Sequence, residues 1–487
     1  MKRLATSTTL PVHLRQPAYL PSKHGSGIVH LGLGAFHKAH QAVYTDDALA
    51  AEGGDWRIIG ANLRSPKAAE ELNPQNGLFT LIEHDLDKTS ARIIGSIERV
   101  ITAKGNTKQL LDTLGDPRIR IVSLTVTEKA YGIERVSGGI NQDHPAVAAD
   151  ISNPDNPVGV LGILVAALRR RHNAGTKPFT VLCCDNLPNN GAFLRAGVLD
   201  FTRQIDHTLA EWIEAHVSFP STMVDRITPA TTQDTLSRAN DLIGCIDLAA
   251  VETEPFSQWV IEDDFPTGRP AWDAGGALLV KDVAQYENMK LRMLNGAHSM
   301  LAYAGFLSGL DHVCNVMTDP DLAKLVKRHI IAASQTLDPV PGVDLDIYTK
   351  SLLQRFANPN IRHETYQIAM DGTEKLPQRI FEPAVTALDR GQSIAPFAFA
   401  TAAWMYYCVR GTDANATYEL RDPRQDQIAR NIGARKNPDE LVACLSKLDG
   451  FLPKDLILNQ RWNSTVSSKL TMMLDKDMQS AVRNEAR

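Results

Sequence analysis

Within "MKLRMLNGAH", residues 289–298, a lysine, an asparagine and a histidine interrupt a largely apolar stretch of helical character. At 100° per residue, Lys290, His298 and Asn295 fall at about 0°, 80° and 140°, on one broad face. A lysine desolvated in a pocket loses part of its preference for the charged form and can trade a proton near neutral pH. Asn295 and His298 are suited to bind or polarise the oxygen that gives up or receives that proton. The same spacing also fits a lysine that reaches solvent beside an asparagine bonded to its own backbone.

A second chemistry is spelled in "GLGAFHKAH". Gly32 and Gly34 have the spacing of the first two glycines of a dinucleotide fingerprint, where the backbone turns tightly and then approaches a pyrophosphate. Ala35 and Phe36 follow on the same turn, and His37 stands in the third glycine's place. The next strand ends "GANLRSP". Where an acidic residue usually holds the adenosine ribose, Asn62 could bind a ribose hydroxyl and Arg64 could favour a 2′-phosphate or face solvent. Two further polar clusters follow apolar runs: Thr127, Glu128 and Lys129 in "SLTVTEK", and Asp185 and Asn186 in "VLCCDNLPNNG". Carboxyl ends of parallel strands face the ligand crevice, although Asp-Asn before proline is also good turn chemistry. His37 and His40 have no nearby cysteine or carboxylate in sequence, so no metal site is expected.

The elements that must position these residues follow from periodicity. "GIVHLGLG", "WRIIGANL", "FTLIEHD", "ARIIGSI", "IRIVSLTVT" and "FTVLCCDN" read as strands, separated by helical stretches such as "HQAVYTDDALA", "NTKQLLDTLG" and "PVGVLGILVAALRRRHNAG". That alternation predicts an α/β Rossmann-type domain over residues 24–285. From 286 to 487 strand signals almost vanish. "DLAKLVKRHIIAASQTL", "DIYTKSLLQRFA" and "PFAFATAAWMYYCVRG" predict a mainly α-helical C-terminal domain. The polar tail "DKDMQSAVRNEAR" is expected to fray.

Two domains suit 487 residues with 43% hydrophobic content. The formal charge of -5 is spread along the chain without a basic block, which argues against a nucleic-acid partner. No apolar run is long enough for a membrane span, and the start lacks the continuous apolar core of a signal peptide. The six cysteines have no metal-binding spacing. Reduced thiols in a cytoplasmic protein are the simplest expectation.

Taken together, "IVHLGLGAFHKAHQAVYTDD", "IVSLTVTEKAYG", "FTVLCCDNLPNNG", "MVDRITPA", "EPFSQWVIEDDF" and "MKLRMLNGAHSMLAY" resemble the long-chain mannitol dehydrogenase family, polyol-specific dehydrogenases that include fructuronate reductases. The resemblance implies NAD as cofactor on the N-terminal domain and a metal-free reaction. It also implies that Lys290 is the acid/base, that Asn186 and Asn295 bracket the reacting oxygen, and that His298 positions substrate. Glu128 would carry the proton between lysine and solvent, with Asp225 near that route. Cofactor contacts are assigned to Gly32, Gly34, Ala35, Phe36, Asn62, Arg64, Thr127 and Asp185.

The stretch "HETYQIAMDGTEKLPQR" resembles the fructuronate reductase branch, and its Lys375 and Arg379 suit a substrate carboxylate. By contrast, "DDALAAEGGDWRIIGANLR" leans toward the mannitol branch. The expected reaction is therefore reduction of D-fructuronate to D-mannonate, with interconversion of a hexitol and fructose as the rival. The expected partner is a small sugar acid or polyol, and the protein is expected to be a monomer or weak oligomer.

Overall fold

Short apolar runs separated by helical stretches become, in the computed structural model, a parallel sheet at the heart of the N-terminal half. The structure describes residues 2–134 and 138–487. It divides into two units, Met1–Ala284 and Gln285–Arg487, which are taken separately below.

In chain order the strands among the described residues are β1 (Ser26–Leu31), β2 (Arg57–Asn62), β3 (Phe79–His84), β4 (Thr89–Ile94), β5 (Ile97–Thr102), β6 (Ile121–Leu124), β7 (Thr180–Cys183), β8 (Thr222–Asp225), β9 (Val251–Thr253), β10 (Gln258–Glu262) and β11 (Leu278–Val280). Five of them form an all-parallel sheet in the order β5-β2-β1-β6-β7. The chain therefore reverses its direction of travel across the sheet between β1 and β6. Ligands bind outside the carboxyl ends of strands at such a switch point. Ile28, Val29, Leu31, Ile121, Val122 and Leu124 are fully buried, as a sheet covered on both faces requires. One cover is the helix Val160–Asn173, whose Ile163, Leu164, Ala167 and Leu168 are buried.

The run "ARIIGSI" was expected to be one strand. The structure breaks it at Gly95 and Ser96, so that β4 pairs with β3 in a small sheet while β5 joins the large one. A Cβ on Gly95 would lie 2.9 Å from Pro17 and 3.1 Å from Pro21, so the break is held open for the N-terminal segment. Strands β8 to β11 carry no strong signal in the sequence, being three to five residues long.

The second unit has no strand among the described residues. Its core is built from Gly296–Leu307, Pro320–Gln335, Ala395–Gly411 and Gln460–Asp475. Asp319 and Asn459 cap two of these helices by accepting from backbone N–H groups of the first turn.

Two sequence expectations fail here. The tail does not fray: Met478–Ala486 is a helix capped by Asp477, and Met478, Ala481, Val482 and Ala486 are buried. The segment Lys290–Asn295 is not α-helical but a π-helix inserted between Ala284–Met289 and Gly296–Leu307. No helix among the described residues is long and apolar enough to cross a membrane.

Candidate active site

One group of candidate residues lies at the carboxyl ends of β1, β6 and β7. Gly32 has φ +90°, and a Cβ there would lie 2.4 Å from the Thr125 carbonyl oxygen. No side chain fits where β1 and β6 approach so closely. Gly34 is different. It is exposed, its backbone is extended, and a Cβ would meet nothing nearer than the Gly32 oxygen at 3.9 Å. The missing side chain therefore leaves open space beside the backbone, as close approach of a pyrophosphate requires. Ala35 and Phe36 are half-buried beyond it, with Phe36 stacked on His40 at 5.0 Å.

Asn62 braces this turn by donating from Nδ2 to the Leu33 carbonyl, 3.2 Å away, while Arg64 is exposed. The His37 ring stacks on His30, and His40 Nε2 lies 3.1 Å from the Gln258 carbonyl. Among the described residues, no group of three or more His, Cys, Asp or Glu could hold a metal ion.

Asp185 was expected to contact the cofactor. Its carboxylate accepts from the Val126 and Thr127 N–H groups, both at 3.1 Å, and from the Tyr131 hydroxyl at 2.6 Å. Burial raises its pKa. Its visible work is to hold the loop after β6, where Thr127 sits at φ +73°, a conformation costly for a β-branched residue. Thr127 is exposed at the crest of that loop and Glu128 is half-buried beside it.

Asn186 is exposed on the loop after β7. Asn190, which sequence reasoning missed, fastens this loop. Its amide nitrogen donates to the Asp185 carbonyl at 3.0 Å and the Thr222 carbonyl at 2.9 Å, while its oxygen accepts from the Thr222 N–H. Its signal was the second asparagine in "LPNNG", easily taken for turn composition. Thr222 opens β8, and Asp225 is buried at the end of that strand.

A separate cluster of candidate residues lies within the helical unit. Lys290, Asn295 and His298 are 7%, 8% and 6% exposed, so the lysine does not reach solvent in the manner of a surface side chain. The π-helix changes their relation. Residues five apart are splayed by about 140° in an α-helix, but an i→i+5 turn brings them onto the same side of the helix. Lys290 and Asn295 are such a pair. Among the described residues, Asn295 Oδ1 and His298 Nε2 are buried without a hydrogen-bond partner, which leaves each able to bond a polar ligand.

A second π-helix, Pro377–Phe381, carries Arg379, whose guanidinium donates to Ser299 Oγ at 3.3 Å. The His298 pKa is lowered well below the ordinary value, first by burial, then by His363, Arg355, Arg379 and Lys290. The imidazole is thus neutral, with Phe356 4.5 Å and His363 5.5 Å from its ring centre. Arg355 was not anticipated. It lies buried on the helix Leu345–Ala357 between Leu352 and Phe356, and a cation inside that apolar stripe was its available signal.

Lys375 lies near the same cations, and burial reinforced by Arg379 lowers it to about 8. Its ammonium donates to the Met370 carbonyl at 2.5 Å and the Ile368 carbonyl at 3.4 Å, and lies 3.8 Å from Asp371. Of the two cations expected to read a carboxylate, Lys375 is thus already engaged by its own neighbourhood.

The chain matches the family model described as the mannitol dehydrogenase Rossmann domain over residues 26–274, and that of the mannitol dehydrogenase C-terminal domain over residues 282–473. It is 39% identical to the D-mannonate oxidoreductase of Escherichia coli K12 over 480 residues, covering 98% of both chains. It is 38% identical to the mannitol 2-dehydrogenase of Cereibacter sphaeroides, covering 91% of this chain and 93% of that one. Among solved structures, the Pseudomonas fluorescens mannitol 2-dehydrogenase in ternary complex with NAD and D-mannitol superposes with a TM-score of 0.87 at 36% identity, covering 99% of each chain.

Proposed function

Because the chain belongs to the mannitol dehydrogenase family, we propose that it is an NAD-dependent dehydrogenase acting on a secondary alcohol, with D-mannonate and D-fructuronate as its substrate pair. The observation that carries the choice of a sugar acid is the cationic surround of His298. Lys290, Arg355 and Arg379 all act on this neutral imidazole, and Lys375 lies near Arg379. Guanidinium groups suit a carboxylate, so cations on this side of His298 favour an anionic ligand.

The fit of a dinucleotide rests on the open space at Gly34 and the tight turn at Gly32. A bound nicotinamide would supply or accept the hydride at its C4. In the reductive direction the carbonyl carbon gains that hydride, the carbon–oxygen π pair moves to oxygen, and protonated Lys290 gives that oxygen its proton. Asn295 and Asn186 hold the oxygen by hydrogen bonds as charge develops on it. His298 Nε2, buried and unpartnered, engages a further substrate hydroxyl. Glu128 is assigned to returning the proton to solvent, and Asp225, near that route, to binding substrate. Oxidation of the alcohol reverses each step.

Interconversion of a hexitol and fructose is the second reading. It is favoured by the engagement of the Lys375 ammonium with two carbonyls, which removes one cation from carboxylate binding. Incubation with D-fructuronate and NADH carrying deuterium at both C4 positions tests the proposal. Deuterium should appear on the new carbinol carbon of D-mannonate; its absence under conditions where NADH is consumed would overturn the assigned hydride transfer.

A further inference from the structure

His30 lies beneath the glycine turn, wholly buried. Its Nδ1 is 2.8 Å from Ser123 Oγ and its Nε2 is 2.8 Å from Thr125 Oγ1. Thr125 Oγ1 lies 3.0 Å from the Gly32 carbonyl oxygen, and Ser123 Oγ lies 2.8 Å from Gln41 Oε1. These groups form an unbroken line from Gln41 to the turn. Burial lowers His30 to about 3, so its ring is neutral and carries one proton.

That single proton decides the direction of the line. If Ser123 gave its hydrogen to the Gln41 oxygen, His30 would have to donate from Nδ1. Its Nε2 would then take the Thr125 hydrogen, and the Gly32 carbonyl would face a bare hydroxyl oxygen. Gln41 Nε2 would also remain buried without a partner. Turning the Gln41 amide by 180° repairs the first fault and gives Nε2 a partner in Ser123, with Oε1 taking the vacated position. Gln41 then donates to Ser123, Ser123 to His30 Nδ1, His30 Nε2–H to Thr125, and Thr125 to the Gly32 carbonyl.

We propose that this line of hydrogen bonds, with His30 and Thr125 as positioning residues, presets the glycine turn for a dinucleotide by holding the Gly32 carbonyl inward. In a planar trans peptide the N–H points opposite to the C=O. With the Gly32 carbonyl held by Thr125, the Leu33 N–H is turned the other way, and it has no backbone acceptor among the described residues. A phosphate oxygen is the chemistry that such a donor takes. His37, in the place of the fingerprint's third glycine, stacks on His30 at 3.5 Å with a 20° interplanar angle and covers the ring's face. The histidine pair thereby does by packing and hydrogen bonding part of what the missing glycine does elsewhere by close approach. This inference rests on the dinucleotide reading above.

The test uses the full-length protein with Thr125→Val, which keeps the shape and removes the hydroxyl, and Thr125→Ser, which keeps the hydroxyl. NADH binding is measured by fluorescence titration, alongside steady-state kinetics and thermal unfolding. Thr125→Val should weaken NADH binding and raise its KM by fivefold or more, with kcat changed less than twofold at saturating NADH. Thr125→Ser should remain within twofold of wild type in each. Equal NADH affinity in all three proteins, or an equal loss in both variants, would overturn the proposal. A lower Tm in Thr125→Val with an unchanged KM would overturn it as well, since the role would then be structural only. Wild-type protein that fails to bind NADH at all would overturn the dinucleotide reading itself, a result separable from the others.

Discussion

Gly296 and the Arg379 carbonyl are in such close approach that a Cβ on the glycine would lie 2.8 Å from the carbonyl oxygen and 3.2 Å from His329 Nε2. Gly296 directly follows the π-helix that carries Lys290 and Asn295, and Arg379 lies within the other π-helix. The two irregular turns are thus registered against each other at a point where only glycine fits. Replacing Gly296 with Ala should force them apart at a cost of about 1–3 kcal/mol in stability. The displacement should lower kcat at least tenfold while NADH affinity holds within twofold. Steady-state kinetics with NADH titration check this; wild-type kcat would show that the register does not matter to turnover.

Lys290→Ala removes the proposed proton donor. General acid–base catalysis typically contributes about 10²–10⁴-fold, so kcat should fall within that range while NADH binding is nearly intact. Equal loss of both would make Lys290 a structural residue.

Arg379→Ala separates the two substrate readings. If Arg379 meets a carboxylate, kcat/KM for D-fructuronate should fall at least tenfold, about 1.4 kcal/mol, whereas that for D-fructose should change little. A parallel loss for both sugars would assign Arg379 to its bond with Ser299 instead.

The buried histidines give a stability signature. Burial lowers His329 to about 4, below its ordinary value of 6.5. An unfolded chain takes up this proton below pH 6.5 and the folded one does not until about pH 4. The stability contributed is therefore fully present above pH 6.5 and is lost as pH falls toward 4, by up to about 1.4 kcal/mol per pH unit. Buried Asp46 and Asp185, whose pKa values are raised, act in the opposite sense, so the difference between wild type and His329→Phe isolates the histidine. That difference should shift in favour of the variant as pH falls from 6.5 to 4.5. A gap that stays constant would contradict the neutral buried state.

The parallel sheet was legible because strands such as β1 and β6 are buried on both faces and read as largely apolar runs, interrupted by His30 and Ser123. The break at Gly95 was not, since the reason for it is the packing of Pro17 and Pro21, remote in sequence. Lys290, Asn295 and His298 stood out as polar residues in an apolar helix. Their mutual angle did not, because a period of 3.6 was assumed where the backbone has an i→i+5 turn. Asp185 was visible as a strand-end carboxylate, but its three donors come from the loop after β6 and from Tyr131, contacts set only by the folded sheet. The terminal helix was misjudged because its polar composition hid Met478, Ala481, Val482 and Ala486, spaced to bury one face.

The most direct measurement is NADH oxidation by the purified protein, followed at 340 nm with D-fructuronate and D-fructose at matched concentrations. The cationic surround of His298 predicts a kcat/KM at least tenfold higher for D-fructuronate, about 1.4 kcal/mol of transition-state discrimination. Preference for D-fructose would contradict the carboxylate reading and leave Arg379 and Lys375 as structural cations.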